Sequence, residues 1–110
     1  MTRLLRTLLL LPLLGWTGAL LASPLVIDVR TPAEYAQGHV AGAQQIDYQQ
    51  LAPHLTQQQL DKSTPIALYC RSGRRAELAR QALQAAGFSQ VENLGSLQQA
   101  AQRLARPIIP

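Results

Sequence analysis

The stretch IALYCRSGRRAELA, Ile66 to Ala79, contains the only cysteine of the chain. An apolar run, Ile66–Tyr69, leads into Cys70. A polar loop, Arg71-Ser72-Gly73-Arg74-Arg75, leads from it into a helix-forming segment. The nucleophile of cysteine chemistry is the thiolate, not the thiol. Loop residues of this kind can turn successive backbone N–H groups toward one centre. The N-terminus of the following helix adds the positive end of its dipole. Arg71, Arg74 and Arg75 add full charges. All three effects favour a thiolate, and they would also hold an anionic substrate. The rival reading of a lone cysteine is a small core hydrophobe. A glycine among three arginines is poor material for a core, so Cys70 is read as a functional thiol.

Spacing narrows the chemistry. Cys70 and Arg75 form C-x4-R. Cysteine phosphatases use C-x5-R, a longer loop that surrounds a tetrahedral phosphate, and here Ala76 stands at that position. The shorter loop fits a smaller target, such as a sulfur atom carried on the cysteine. No cluster of metal-ligand residues is visible, and no cofactor is expected.

The elements that must position this loop follow from the patterning. LVIDVR (Leu25–Arg30) reads as a buried strand. TPAEYAQG carries helix-start signals: Thr31 as cap, Pro32 at the first helical position, Glu34 completing a capping box, and Gly38 closing the turn. A short strand is expected near Gln44–Ile46. YQQLAPHL and TQQQL read as two short helical turns, the second with Thr56 and Gln59 as a capping pair. IALY is the next strand. Ala76–Ala86 reads as a helix with Leu78, Ala79, Ala82, Leu83 and Ala86 at helical spacing, closed by Gly87. FSQVENLG gives a last strand and turn, and Ser96–Ala105 a last helix stopped by Pro107. Strands alternating with helices predict an α/β fold, a small parallel sheet flanked by helices on both faces. In such a sheet ligands sit beyond the carboxyl ends of the strands, where Cys70 falls.

The first residues read as an address. MTRLLRTLLLLPLLGWTGALLAS has a basic start, a leucine-rich run and a small-residue end, the layout of a secretory signal peptide. Cleavage is expected after Ala22, leaving residues 23–110 as one small domain. The rival is an uncleaved anchor. However, Leu25–Ile27 is needed for the first strand, and what precedes it is shorter than the ~20 apolar residues of a span. The formal charge is +4, from ten basic and six acidic residues. Without Arg3 and Arg6, eight basic residues face six acidic ones, a net of +2. That is too weak to suggest nucleic-acid binding. Arg80, Arg103 and Arg106 read as a solvated surface. One cysteine excludes an intramolecular disulfide.

DVRTPAEYAQGHVAGAQQI, YCRSGRRAELARQALQAAGF and VENLGS together resemble the single-domain rhodaneses, thiosulfate sulfurtransferases. The resemblance covers nearly all of Leu25–Ala105, and YCRSGRRA is close to the family's C-R-x-G-x-R loop. The exported, short form is similar to periplasmic members of the family, which implies a periplasmic location. The resemblance implies attack of Cys70 on the outer sulfur of thiosulfate, release of sulfite and a persulfide on Cys70. A thiol or cyanide then takes the sulfur. It also implies that the backbone of Arg71, Ser72, Gly73, Arg74 and Arg75 cradles the persulfide, with Arg71, Arg74 or Arg75 attracting the anion. Asp28 and Arg30 match the family's D-x-R near the active loop and are read as an ion pair supporting it. His39 matches a G-H-[IV]-x-G-A turn and is read as a structural, hydrogen-bonded histidine; His54 is read as a surface residue. Two departures stand out. Gln45 replaces the usual asparagine, and Ser96 replaces the second glycine of a Gly-Gly turn, without the tryptophan often found after it. They bear on the acceptor side of the pocket.

The partners expected are a small anionic sulfur donor and a thiol or cyanide acceptor, with no nucleic acid, no membrane after cleavage and a monomeric protein. The alternative function is a periplasmic sulfur carrier or persulfide relay with little thiosulfate turnover. An inactive interaction module is disfavoured by the intact loop, and a phosphatase or arsenate reductase by its length.

Overall fold

Two apolar runs, one near the start of the domain and one at its centre, form strands buried on both faces. In the computed structural model of the protein, which describes residues 23–110, these are β1 (Leu25–Asp28) and β4 (Ile66–Cys70). The expected signal peptide, residues 1–22, lies outside the described residues. Between β1 and β4 come α1 (Pro32–Ala36), β2 (His39–Val40), β3 (Gln44–Gln45) and α2 (Leu51–Gln57). After β4 come α3 (Arg74–Ala85), β5 (Val91–Ser96), α4 (Leu97–Leu104) and β6 (Ile108–Ile109). The main sheet has the order β3-β1-β4-β5, all parallel.

Alternation along β4 assigns its side chains to two cores. Ile66, Leu68 and Cys70 join Ile27 of β1, Leu51 and Leu55 of α2, and Ala76, Ala79 and Leu83 of α3. Ala67 and Tyr69 point the other way, into a second cluster with Val26, Val40, Ala43, Leu94 and Ala100 of α4. Burial on both faces is why β1 and β4 read as continuous apolar runs and not as alternating ones. The expected parallel sheet with helices on both faces is the observed architecture.

Local signals place several elements well. Thr31 caps α1: its hydroxyl accepts from Glu34 N at 3.2 Å, and Glu34 Oε1 accepts from Thr31 N at 3.1 Å. Ser96 and Gln99 form the same reciprocal pair at the start of α4. This explains Ser96 where a glycine was expected: the position caps a helix, and a hydroxyl satisfies an N–H that glycine would leave to water.

Other expectations need correction. The two helical turns between Tyr48 and Leu60 are one helix, α2. Thr56 lies inside it, and its carbonyl accepts from Gln59 N, so the expected capping pair does not form. Leu51 and Leu55, one turn apart, are both buried, and their packing carries the helix through the weak start signal at Thr56. On α3 the buried residues are Ala76, Ala79 and Leu83, whereas Leu78 is 43% exposed and Ala82 is exposed. The chain after Pro107 forms a strand not expected from the sequence: Ile108–Ile109 pairs antiparallel with His39–Val40 as β6. A two-residue strand leaves no periodic signal.

The packing of α3 gives a direct contrast between two leucines. Leu83→Ala should cost about 2–5 kcal/mol, because it opens a cavity in a closed core. Leu78→Ala should change stability by no more than about 0.5 kcal/mol. Urea denaturation of the two variants checks which leucine faces inward.

Candidate active site

Cys70 is the last residue of β4 and is 1% exposed. Residues 71–73 turn the chain, and α3 begins at Arg74. Gly73, the N-cap of α3, has φ 93° and ψ −11°, a left-handed conformation that suits glycine. That conformation aims the Gly73 N–H back at the cysteine, and it donates to Cys70 Sγ at 3.0 Å. A hydrogen bond to the charged form of a group favours that form. The sulfur thus sits on the N-terminal end of a twelve-residue helix, where unpaired N–H groups and the helix dipole favour negative charge.

A second strand holds the loop from behind. Asn93 of β5 donates from Nδ2 to the Gly73 carbonyl at 2.9 Å, and its Oδ1 accepts from Gly95 N at 2.9 Å. A Cβ on Gly73 would lie 3.4 Å from Gly95 Cα, so the two backbones run in contact. A register shift between Leu68 and Cys70 on the β4–β5 ladder accommodates this approach. Asn93 was not singled out from the sequence. The available signal was its position in VENLGS, two residues before a glycine, where an amide can satisfy its own turn.

The three arginines of the loop have different surroundings. Arg75 makes a two-pronged ion pair with Glu34 of α1, Nη1–Oε1 at 2.8 Å and Nη2–Oε2 at 3.0 Å. Glu34 therefore caps α1 and also ties the α3 N-terminus to α1, a role its reading as a helix cap did not include. The Arg75 bonds hold the Glu34 carboxyl at about 2, below its ordinary 4.5, with Thr31 adding to the effect and partial burial opposing it. Arg71 and Arg74 are exposed. Arg71 lines a cavity of about 490 Å³ together with Arg30, Glu34, Gln37, Leu97 and Gln98. Ser72 is exposed at the loop tip.

Asp28 and Arg30 form an ion pair, with Asp28 fully buried and Arg30 nearly so. Arg30 Nε donates to Asp28 Oδ1 at 2.9 Å and Nη2 to Oδ2 at 2.7 Å. Arg30 Nη2 also donates to the Gly38 carbonyl at 2.6 Å. The pair fastens the end of β1 to the turn after α1, and neither side chain hydrogen-bonds residues 71–75. Its route toward the active loop is Tyr69, the neighbour of Cys70, whose ring centroid lies 5.7 Å from the Arg30 guanidinium carbon. Tyr69 Oη accepts from Val40 N at 3.0 Å, and burial pushes its phenol well above the ordinary range.

His39 is buried, stacks on Tyr35 with ring centroids 3.6 Å apart, and donates from Nδ1 to the Tyr35 carbonyl at 3.0 Å. Those contacts fit a structural histidine. Gln45 donates to the Arg30 carbonyl at 2.6 Å, so the glutamine in place of asparagine has a backbone partner of its own. Arg80 and Arg103 pair with Glu77 and Glu92, and Arg106 donates to the Ala41 carbonyl.

The Glu34–Arg75 pair has a pH signature. A carboxyl lowered from 4.5 to about 2 contributes stability that is complete above pH 4.5 and lost as pH falls through about 2. Glu34→Gln should remove about 1 kcal/mol at pH 7, since the pair is two-pronged but a quarter exposed. The difference between wild type and variant should shrink as pH falls from 4.5 toward 2. Chemical denaturation at pH 7, 4.5 and 2.5 checks it; a constant difference would mean the ion pair contributes nothing.

The chain was compared with known proteins. The Rhodanese-like domain matches residues 14–101, a match that begins inside the segment expected to be a signal peptide. Over 71 residues the chain is 37% identical to thiosulfate sulfurtransferase PspE of Escherichia coli K12, covering 64% of this chain and 68% of that protein. It is 36% identical over 70 residues to a sulfurtransferase of Allochromatium vinosum, covering 64% of each. It is 33% identical over 69 residues to thiosulfate sulfurtransferase GlpE of Ectopseudomonas mendocina, covering 63% of this chain and 62% of that protein. The last two matches thus span a little under two thirds of those relatives. Among solved structures, an Escherichia coli rhodanese with anions superposes with a TM-score of 0.69 at 32% identity, covering 79% of this chain and 98% of that one. The Rhodanese_3 like domain of Alr3790 from Anabaena gives a TM-score of 0.69 at 26% identity, covering 80% and 100%. The family match over residues 14–101 and the superpositions agree, and the chain belongs to the rhodanese-like domain family.

Proposed function

We propose that the protein is a thiosulfate sulfurtransferase that works through a persulfide on Cys70. The observation that carries this reading is the Gly73 N–H donated to Cys70 Sγ at 3.0 Å at the start of α3. The relatives named as thiosulfate sulfurtransferases support it. In the first step the Cys70 thiolate attacks the outer sulfur of thiosulfate. A bond forms between Sγ and that sulfur, the sulfur–sulfur bond of thiosulfate breaks, and its electron pair leaves with sulfite. The product is a Cys70 persulfide anion, whose terminal sulfur takes the charge that Sγ carried. The Gly73 N–H, which already donates to Sγ, and the N-terminal end of α3 would stabilise that charge. In the second step cyanide or a thiolate attacks the terminal sulfur, forms thiocyanate or a new persulfide, and returns Cys70 as thiolate.

Arg71 and Arg74 serve to attract the dianion, since their guanidinium groups are exposed beside the loop and Arg75 is engaged with Glu34. Cys70→Ser should abolish thiosulfate:cyanide transfer. Arg71→Ala or Arg74→Ala should raise KM for thiosulfate about fivefold, and added salt should do the same to wild type. Reaction of Cys70 with a neutral alkylating agent should be unchanged in both variants. Steady-state kinetics at two ionic strengths test this. Comparable activity in Cys70→Ser would exclude the mechanism.

The proposal includes export to the periplasm with removal of residues 1–22, supported by the basic start, leucine run and small-residue end of that segment. The intact mass of the protein from a periplasmic fraction should correspond to a chain beginning at Ser23. Recovery of the full-length chain from membranes would show an anchor instead.

A further inference from the structure

The cavity beside the active loop contains a buried arginine with one nitrogen left over. Arg30 is 6% exposed. Its Nε and Nη2 are taken by Asp28 and the Gly38 carbonyl. Nη1, with two N–H donors, has no hydrogen-bond partner among the described residues. No buried side-chain nitrogen there lacks a partner, so Nη1 keeps some accessible surface, and Arg30 is one of the residues that line the cavity. Asp28 balances the Arg30 charge, which makes Nη1 a fixed donor more than a free cation. The excess positive charge on the wall comes from Arg71. Glu34 also lines the cavity, but its carboxylate is held against Arg75 and balanced by it. Gln37 and Gln98 complete the polar lining, and Leu97 gives one apolar contact.

Two features decide what fits. The cavity volume of about 490 Å³ is in the range of small-molecule sites. Cys70 does not line it, although Arg71, its neighbour, does. An occupant that also reaches the sulfur would have its reactive end at Cys70 and its other end in the cavity. We propose that this cavity is the acceptor subsite, and that it takes a small thiol bearing a carboxylate, held by Arg30 Nη1 and Arg71. The inference rests on the sulfurtransferase reading for the role of acceptor, but the binding itself does not need turnover. The acceptor thiolate attacks the terminal sulfur of the Cys70 persulfide; the new persulfide leaves with that sulfur and Cys70 keeps the electron pair of the broken bond.

The test uses the full mature chain with Cys70→Ala, which cannot react. Mercaptopropionate and its neutral counterpart mercaptoethanol are titrated against it while the arginine Nε–H signals are followed by NMR. The Arg30 and Arg71 signals should shift with mercaptopropionate and not with mercaptoethanol. Gln98 is exposed on the cavity wall at the start of α4, so its replacement does not threaten the fold. Gln98→Glu should weaken mercaptopropionate binding about fivefold and Gln98→Lys should strengthen it similarly. With Cys70 restored, the same substitutions should move KM for mercaptopropionate in the same directions and leave mercaptoethanol unaffected. Equal shifts from both thiols, or no shift at Arg30, would overturn the assignment. Binding as described in a protein that transfers no sulfur would uphold the subsite and fault the proposed function instead.

Discussion

The contact on which the site depends is the hydrogen bond from Gly73 N–H to Cys70 Sγ. It requires the sulfur to sit at the end of a buried strand and the chain to double back within three residues. Gly73 makes that turn in a left-handed conformation, which glycine adopts without strain, and a Cβ there would lie in contact with Gly95 Cα at 3.4 Å. Gly95 is constrained in turn. Its φ is 93°, and a Cβ would come within 2.2 Å of Gln99 Oε1, the atom that accepts from Ser96 N at the start of α4. Asn93 links the two glycines through one amide. Sulfur, loop, β5 and the α4 cap thus form one connected set, in which a change at Gly95 or Asn93 reaches Cys70 without touching it.

Charge around the thiol is divided by function. A cluster of arginines next to one cysteine suggests a single electrostatic effect, but the geometry separates them. Arg75 and Glu34 neutralise each other and fix α3 against α1. Arg30 and Asp28 do the same at the end of β1, with Arg30 beside Tyr69 of the second core. Arg71 and Arg74 remain available to anions. A buried ion pair is weak evidence for stability in itself; here each pair sets the direction of a chain segment that borders the loop or the cavity beside it.

Much of this was legible in the sequence where one residue type has few alternatives. The strand before Cys70, the helix after it and the Thr31–Glu34 box follow from apolar runs and capping chemistry that act over three or four residues. So did the parallel sheet, because strands buried on both faces leave no polar alternation. The misreadings share a cause. The division of α2, the inward reading of Leu78 and the overlooked β6 all depend on what packs against the segment from far along the chain. The same holds within the site. Cys70 and its loop are contiguous and could be read directly, whereas Asn93 lies twenty residues beyond Gly73 and Glu34 forty-one before Arg75. Neither partnership has a local signature. Glu34 is the sharper case, since its capping role is correct and complete by local rules, which conceals its second partner.

The proposed mechanism requires the loop to hold a sulfur atom on Cys70 as a stable intermediate. Intact mass spectrometry of the purified protein after brief exposure to thiosulfate measures this directly. The expected result is a gain equal to one sulfur atom, located on the peptide that contains Cys70, absent in Cys70→Ser and removed by cyanide with formation of thiocyanate. No mass gain, or a gain that cyanide leaves in place, would contradict it.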